Sequence, residues 1–87
     1  MDFPEKNMAL VFKALSDENR IRILKLLRNG EKCACKLLEE RNSSQPTLSP
    51  HMKILCESGL VTGRREGKGT HYAICCEGVR RVRDLMK

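Results

Sequence analysis

Apolar residues recur along the chain with two different periods. Met8, Val11, Phe12 and Leu15 keep i, i+3, i+4, i+7 spacing and predict a helix over about 5–15. Ser16 breaks that run and is placed to cap a second helix over about 17–29. There Ile21, Ile23, Leu24, Leu26 and Leu27 are apolar round much of the circumference, as in a central core helix. Asp17 and Glu18 at its start, Arg28 in its last turn and Gly30 beyond suit the helix dipole and a C-terminal stop. Ala34, Leu37 and Leu38 face inward on a third helix from Cys35 to about Arg41, whose exit Asn42-Ser43 is a turn. Leu48, Met52 and Leu55, at i, i+4, i+7, form the buried stripe of a fourth helix over about 44–58, with Ser44 as cap, Pro46 in the first turn and Gly59 as stop. The period then shortens. Residues 60–65 and 70–74 read as two strands joined by Glu66-Gly67-Lys68-Gly69, a wing spanning about 60–75. Val79, Val82 and Met86 stripe a last helix over about 77–87.

The polar side of the fourth helix carries Ser44, Gln45, Thr47, Ser49, His51 and Lys53. A short helix rich in small donors and acceptors suits the major groove of DNA, where Gln forms a bidentate pair with adenine and Lys53 would meet the backbone. An ordinary amphipathic surface helix has the same spacing. The basic hairpin after residue 59 decides between the two, because a capped helix running into such a hairpin is the layout of a winged helix-turn-helix. In that layout Arg64, Arg65 and Lys68 grip phosphate or reach a minor groove. The fold expected is mainly α with a two-stranded β wing, in a single small domain of 87 residues.

Charge strengthens this reading. Lys and Arg number 17 against 11 Asp and Glu, a formal net charge of +6. Residues 1–40 carry 8 basic and 7 acidic side chains, whereas residues 41–87 carry 9 and 4. The excess lies on the fourth helix, the hairpin and the tail, the footprint of a polyanion partner. No apolar run approaches the roughly 18 residues of a membrane span, and the first residues lack the basic start and apolar centre of a signal peptide, so a cytoplasmic protein is expected. Five cysteines, two pairs of them as close as Cys33-Ala34-Cys35 and Cys75-Cys76, fit reduced thiols better than structural disulfides. An enzyme is not expected: the two histidines, His51 and His71, both fall on the predicted DNA face, with no nucleophile elbow, phosphate loop or paired carboxylates.

The segments SQPTLS-x-HMKILCESGLV and RREGK-x-THYAI resemble the DNA-binding half of the ArsR family of metal-sensing repressors, and the resemblance extends back through Ala14 to Leu24 and through Cys33-Ala34-Cys35. It implies a homodimer built on the first and last helices, a double-stranded operator as partner, and release of DNA when a soft ion is captured. Cys33-Ala34-Cys35 is similar to the cysteine pair of the family's arsenic, antimony, cadmium and lead sensors, so As(III), Sb(III) and Cd(II) are the implied effectors. The family's third cysteine is replaced by Leu38, which leaves Cys56, Cys75 or Cys76 as candidate third ligands. The family's zinc or nickel site on the last helix is not present, since no histidine follows Ile74.

The chain departs from the family at Arg41 and Ser43, where apolar residues would tighten the packing of the two motif helices, at Gly69, where an aromatic would anchor the wing, and at Pro50. A proline inside a helix removes a hydrogen bond and meets a carbonyl one turn back. Either the helix bends there, or it starts late with Ser49 as cap and Pro50 as first residue.

Two thiols at i and i+2 on a regular helix point about 200° apart and cannot share an ion. They converge only if Cys33 lies outside the helix or the first turn unwinds. Lys32, Lys36 and the helix N-terminus would lower both thiol pKa values. A thiol/disulfide redox regulator on the same fold, and a DNA-binding regulator with no effector, remain alternatives.

Overall fold

The computed structural model describes residues 4–41 and 45–86. In chain order its elements are α1 (Glu5–Ala14), α2 (Glu18–Leu27), β1 (Lys32–Cys33), α3 (Ala34–Arg41), α4 (Gln45–Glu57), β2 (Val61–Glu66), β3 (Gly69–Ile74) and α5 (Cys76–Leu85). The five expected helices and the hairpin are present. The expected turn at Asn42-Ser43 and the cap Ser44 lie outside the described residues.

The hairpin is not alone. β1 adds to it as a third antiparallel strand in the order β1-β3-β2, with Lys32 opposite Tyr72 and Cys33 opposite His71. The wing therefore belongs to a three-stranded sheet; two residues are too few for a period-2 pattern to register in the sequence. β2 and β3 pair from Val61 opposite Ile74 to Glu66 opposite Gly69, which shortens the link to the two residues Gly67-Lys68. Gly67 has φ +61°, a left-handed conformation that favours glycine in so tight a turn.

Local chemistry sets the helix ends. Asp17 caps α2 in place of Ser16: its Oδ1 accepts the N–H of Asn19 at 2.8 Å and of Arg20 at 3.4 Å. The Ser16 hydroxyl instead donates to the Lys13 carbonyl and closes α1. At the end of α4 the Ser58 hydroxyl donates to the Leu55 carbonyl and accepts the Leu60 N–H, while Gly59 takes a positive φ. α4 runs through Pro50 without a break at that residue, so the late start at Ser49 does not occur. α3 begins one residue early, at Ala34, and α5 begins at Cys76, one residue before its expected start at about 77.

The core lies among the helices and the base of the wing. Val11 and Ala14 of α1, Ile23 and Leu27 of α2, Leu37 of α3, the α4 stripe Leu48, Met52 and Leu55, and Leu60 and Val61 are buried together. Ile21 is exposed, so α2 is not wrapped on all sides in one chain. α5 docks through Gly78, where a Cβ would collide with the Gly59 carbonyl.

Candidate nucleic-acid interface and thiol pair

The outward side of α4 divides into two rows by helical spacing. Ser49 and Lys53 are exposed and follow Gln45 at i+4 and i+8; Gln45 opens the helix, and its side chain lies outside the described part. Ser44 is outside the described residues altogether. Thr47 and His51 form the second row, beside the start of α2.

His51 is half-buried, and its Nδ1 lies 3.1 Å from Arg20 Nη1. Arg20 is a bridging residue that the sequence motifs do not single out. It is only 8% exposed, and its guanidinium donates from Nε to the Ala14 carbonyl at 3.0 Å and from Nη2 to the Lys13 carbonyl at 3.1 Å. One cation thus ties the carbonyls at the end of α1 to α4 through His51. The signal in the sequence is its place at i with Ile23 and Leu27 at i+3 and i+7, a charge in a core stripe.

On the wing, Arg65 and Lys68 are exposed, Lys68 at the turn. Arg64 is engaged by carboxylates: Nη2 donates to Glu31 at 2.7 Å and Nη1 to Glu66 at 2.9 Å. These hydrogen bonds raise its pKa and lower that of Glu66. His71 Nε2 lies 3.4 Å from the other oxygen of Glu66. Glu31, missed in the sequence, ties the wing to the loop before β1.

Cys33 is half-buried in β1 and Cys35 is exposed in the first turn of α3. Because Cys33 lies outside the helix, the two thiols are near enough to shift each other's acidity, and the Cys33 sulfur accepts the Lys36 backbone N–H at 3.3 Å. The two thiols consequently move apart in acidity. The Cys35 hydrogen bond, then the Lys36 N–H, lower the Cys33 pKa; the same thiol–thiol bond, then desolvation, raise that of Cys35. A uniform lowering by lysine charge does not occur. Lys32 Nζ is 3.8 Å from Glu40 and Lys36 Nζ 3.5 Å from Glu39, so each ammonium has a carboxylate partner.

Cys56 is half-buried on α4 and its pKa is raised by burial; Cys75 precedes α5 and Cys76 is exposed at its start. Among the described residues, no group of three or more His, Cys, Asp or Glu side chains is arranged to hold a metal.

The first and last helices leave apolar surface open. Phe12, Val79, Leu85 and Met86 are 44%, 45%, 53% and 69% exposed. A groove of about 510 Å³ runs between α2 and α5, walled by Ile21, Leu24, Leu60, Ile74, Val79 and Val82. Among the described residues no helix is long and apolar enough to cross a membrane.

Residues 17–62 match the family described as bacterial regulatory protein, arsR family. The chain is 49% identical over 69 residues to the arsenical resistance operon repressor of Staphylococcus aureus, covering 79% of this chain and 66% of that one, so it spans just under two thirds of that relative. It is 42% identical over 80 residues to an HTH-type transcriptional regulator of Methanocaldococcus jannaschii, covering 91% and 86%. A solution structure from Mycobacterium bovis, described as a homodimeric winged helix-turn-helix DNA-binding domain and possible ArsR-family regulator, superposes with TM-score 0.79 at 34% identity over 93% of this chain and 75% of that one.

Proposed function

This chain belongs to the arsR family of bacterial regulatory proteins, a family of DNA-binding regulators and not of enzymes, and from that premise we propose that it is a cytoplasmic homodimeric repressor that leaves operator DNA when a thiophilic metal or metalloid occupies Cys33 and Cys35. The reading helix α4 carries Gln45, Thr47, Ser49 and Lys53 to the groove, and Arg65 and Lys68 hold the backbone from the wing. Arg64 joins them from its carboxylate bridge. The dimer covers the exposed apolar residues of α1 and α5, since a chain this small gains stability by burying such surface in a second copy.

The observation that carries the effector reading is the placement of Cys33 outside the helix, at the end of β1, beside Cys35 in the first turn of α3. The pair fits a soft ion in donor type and closeness, and the lowered Cys33 thiol is readied for coordination. As(III), Sb(III) and Cd(II) are the candidate effectors. With two protein sulfurs in the cluster, the remaining ligands come from the partner copy or an outside thiol. Sulfur coordination competes with the Lys36 N–H for Cys33. Cys33 also pairs with the wing strand, so loss of that hydrogen bond disturbs together the helix that precedes α4 and the sheet that carries the wing. The name of the staphylococcal relative, an arsenical resistance repressor, supports the same class of effector.

Sedimentation and titration of a duplex taken from upstream of its own reading frame test the first half of the proposal. A dimer whose affinity falls steeply from low to moderate salt is expected, by counterion release. A monomer, or binding indifferent to salt, contradicts it.

A further inference from the structure

Asn19 in the first turn of α2, Arg41 at the end of α3, and Thr47 and His51 on α4 enclose a small pocket of about 50 Å³. Two hydrogen bonds decide its chemistry. Arg41 Nη2 donates to Asn19 Oδ1 at 3.0 Å, and Arg20 Nη1 donates to His51 Nδ1 at 3.1 Å. Arginine has only donors, so each contact commits an acceptor: the Asn19 amide oxygen and the Nδ1 lone pair of His51. What those two side chains retain is the Asn19 NH2 and, on a neutral ring, the Nε2 N–H. Arg41 keeps further N–H donors, is half-buried, and has no carboxylate partner among the described residues. The neighbouring Asp17 carboxylate is occupied with the N–H groups of Asn19 and Arg20.

Ile23 and Leu48 form the apolar floor of the pocket, and its rim carries donors and a cation; too small for an organic ligand, that rim suits the oxygens of one anion. It opens beside the N-terminal half of the reading helix. We propose that this pocket seats a phosphate of the DNA backbone, with Arg41 supplying the charge and Asn19 and His51 acting as neutral donors. The proposal rests on the duplex-binding reading above and deepens it. It assigns Arg41 and Asn19 to positioning α4 in the groove, a contact that carries no base information of its own.

The test measures binding of the full chain to its upstream duplex and to a random duplex across a range of salt. Arg41→Gln is expected to weaken both by the same factor, on the order of tenfold, and to flatten the slope of log affinity against log salt by about 0.9. Arg41→Lys keeps the charge and should recover most of the slope, a rescue that a purely structural role for Arg41 does not predict. Lys25→Gln, which removes a cation from the apolar groove between α2 and α5, should leave the slope unchanged. Asn19→Asp guards against misfolding, because it keeps a partner for Arg41 while placing a negative charge in the pocket; it too should weaken both duplexes. If wild type binds DNA but Arg41→Gln and Asn19→Asp keep its slope and affinity, the phosphate assignment is overturned and the DNA reading stands. If wild type binds neither duplex, both fall.

Discussion

Cys33 stands opposite His71 in the pairing of β1 with β3, and its sulfur accepts the backbone N–H of Lys36 in the first turn of α3. A single residue therefore belongs at once to the wing sheet and to the entrance of the helix that precedes the reading helix. Chemistry at that sulfur reaches the wing sheet and the helix before α4 without a long relay, which places the proposed effector pair where a small local change has two outputs.

Acidity at this pair gives the first prediction. The thiolate is the reactive form, so alkylation by iodoacetamide accelerates as pH rises through each pKa. Cys33 should show its rise below the ordinary thiol value of 9.0, and Cys35 above it. Peptide mapping across a pH series checks the order; equal rates at the two residues would remove the thiol–thiol hydrogen bond from the account.

The divergence of these two thiols also shows what a sequence can and cannot reveal. Spacing of i and i+2 separates side chains on a helix, and only the short strand ending at Cys33 brings them together. That strand pairs with β3, nearly forty residues away, and leaves no local period. Long stripes such as Leu48, Met52 and Leu55 were legible because many positions report one face. Asp17 and Ser16 are both good caps one residue apart, and backbone dihedrals chose between them. Arg20 was visible only as a charge in a core stripe; its three acceptors lie on two other helices. Ile21 reads as core yet is exposed, because none of the described residues covers the groove beside α5.

Arg20→Met should be costly although it is isolated from solvent and close in volume. It leaves the Ala14 carbonyl without its donor, takes one donor from the Lys13 carbonyl, which keeps Ser16, and releases His51, a loss of about 2–3 kcal/mol. Urea melts check the stability. Arg20→Lys should fall well short of rescue, because an ammonium cannot reproduce the fork that spans three acceptors.

Pro50 interrupts one backbone hydrogen bond inside α4. Pro50→His restores an N–H toward the Pro46 carbonyl and should stabilise the helix by up to about 3 kcal/mol. Circular dichroism and thermal melting should rise together with affinity for the cognate duplex. No gain in either would mean that the chain accommodates Pro50 without strain.

Gly78→Ala tests the docking of α5. A Cβ at that position meets the Gly59 carbonyl, which is backbone and cannot swing away. A destabilisation of about 1–3 kcal/mol is expected, with a weaker dimer by sedimentation. An unchanged melt would show that α5 can lift from the loop at no cost.

The most direct test of the account is fluorescence anisotropy of the labelled upstream duplex as As(III), Cd(II) or Zn(II) is added to wild type, Cys33→Ser, Cys35→Ser and the double variant. Wild type should release DNA with a thiophilic ion, alongside a sulfur-to-metal charge-transfer absorbance for Cd(II), and each serine variant should bind DNA normally and ignore the ion. A double variant that still leaves the duplex when metal is added contradicts the assignment of Cys33 and Cys35. If it responds instead to a thiol oxidant through Cys75 or Cys76, a redox regulator takes its place.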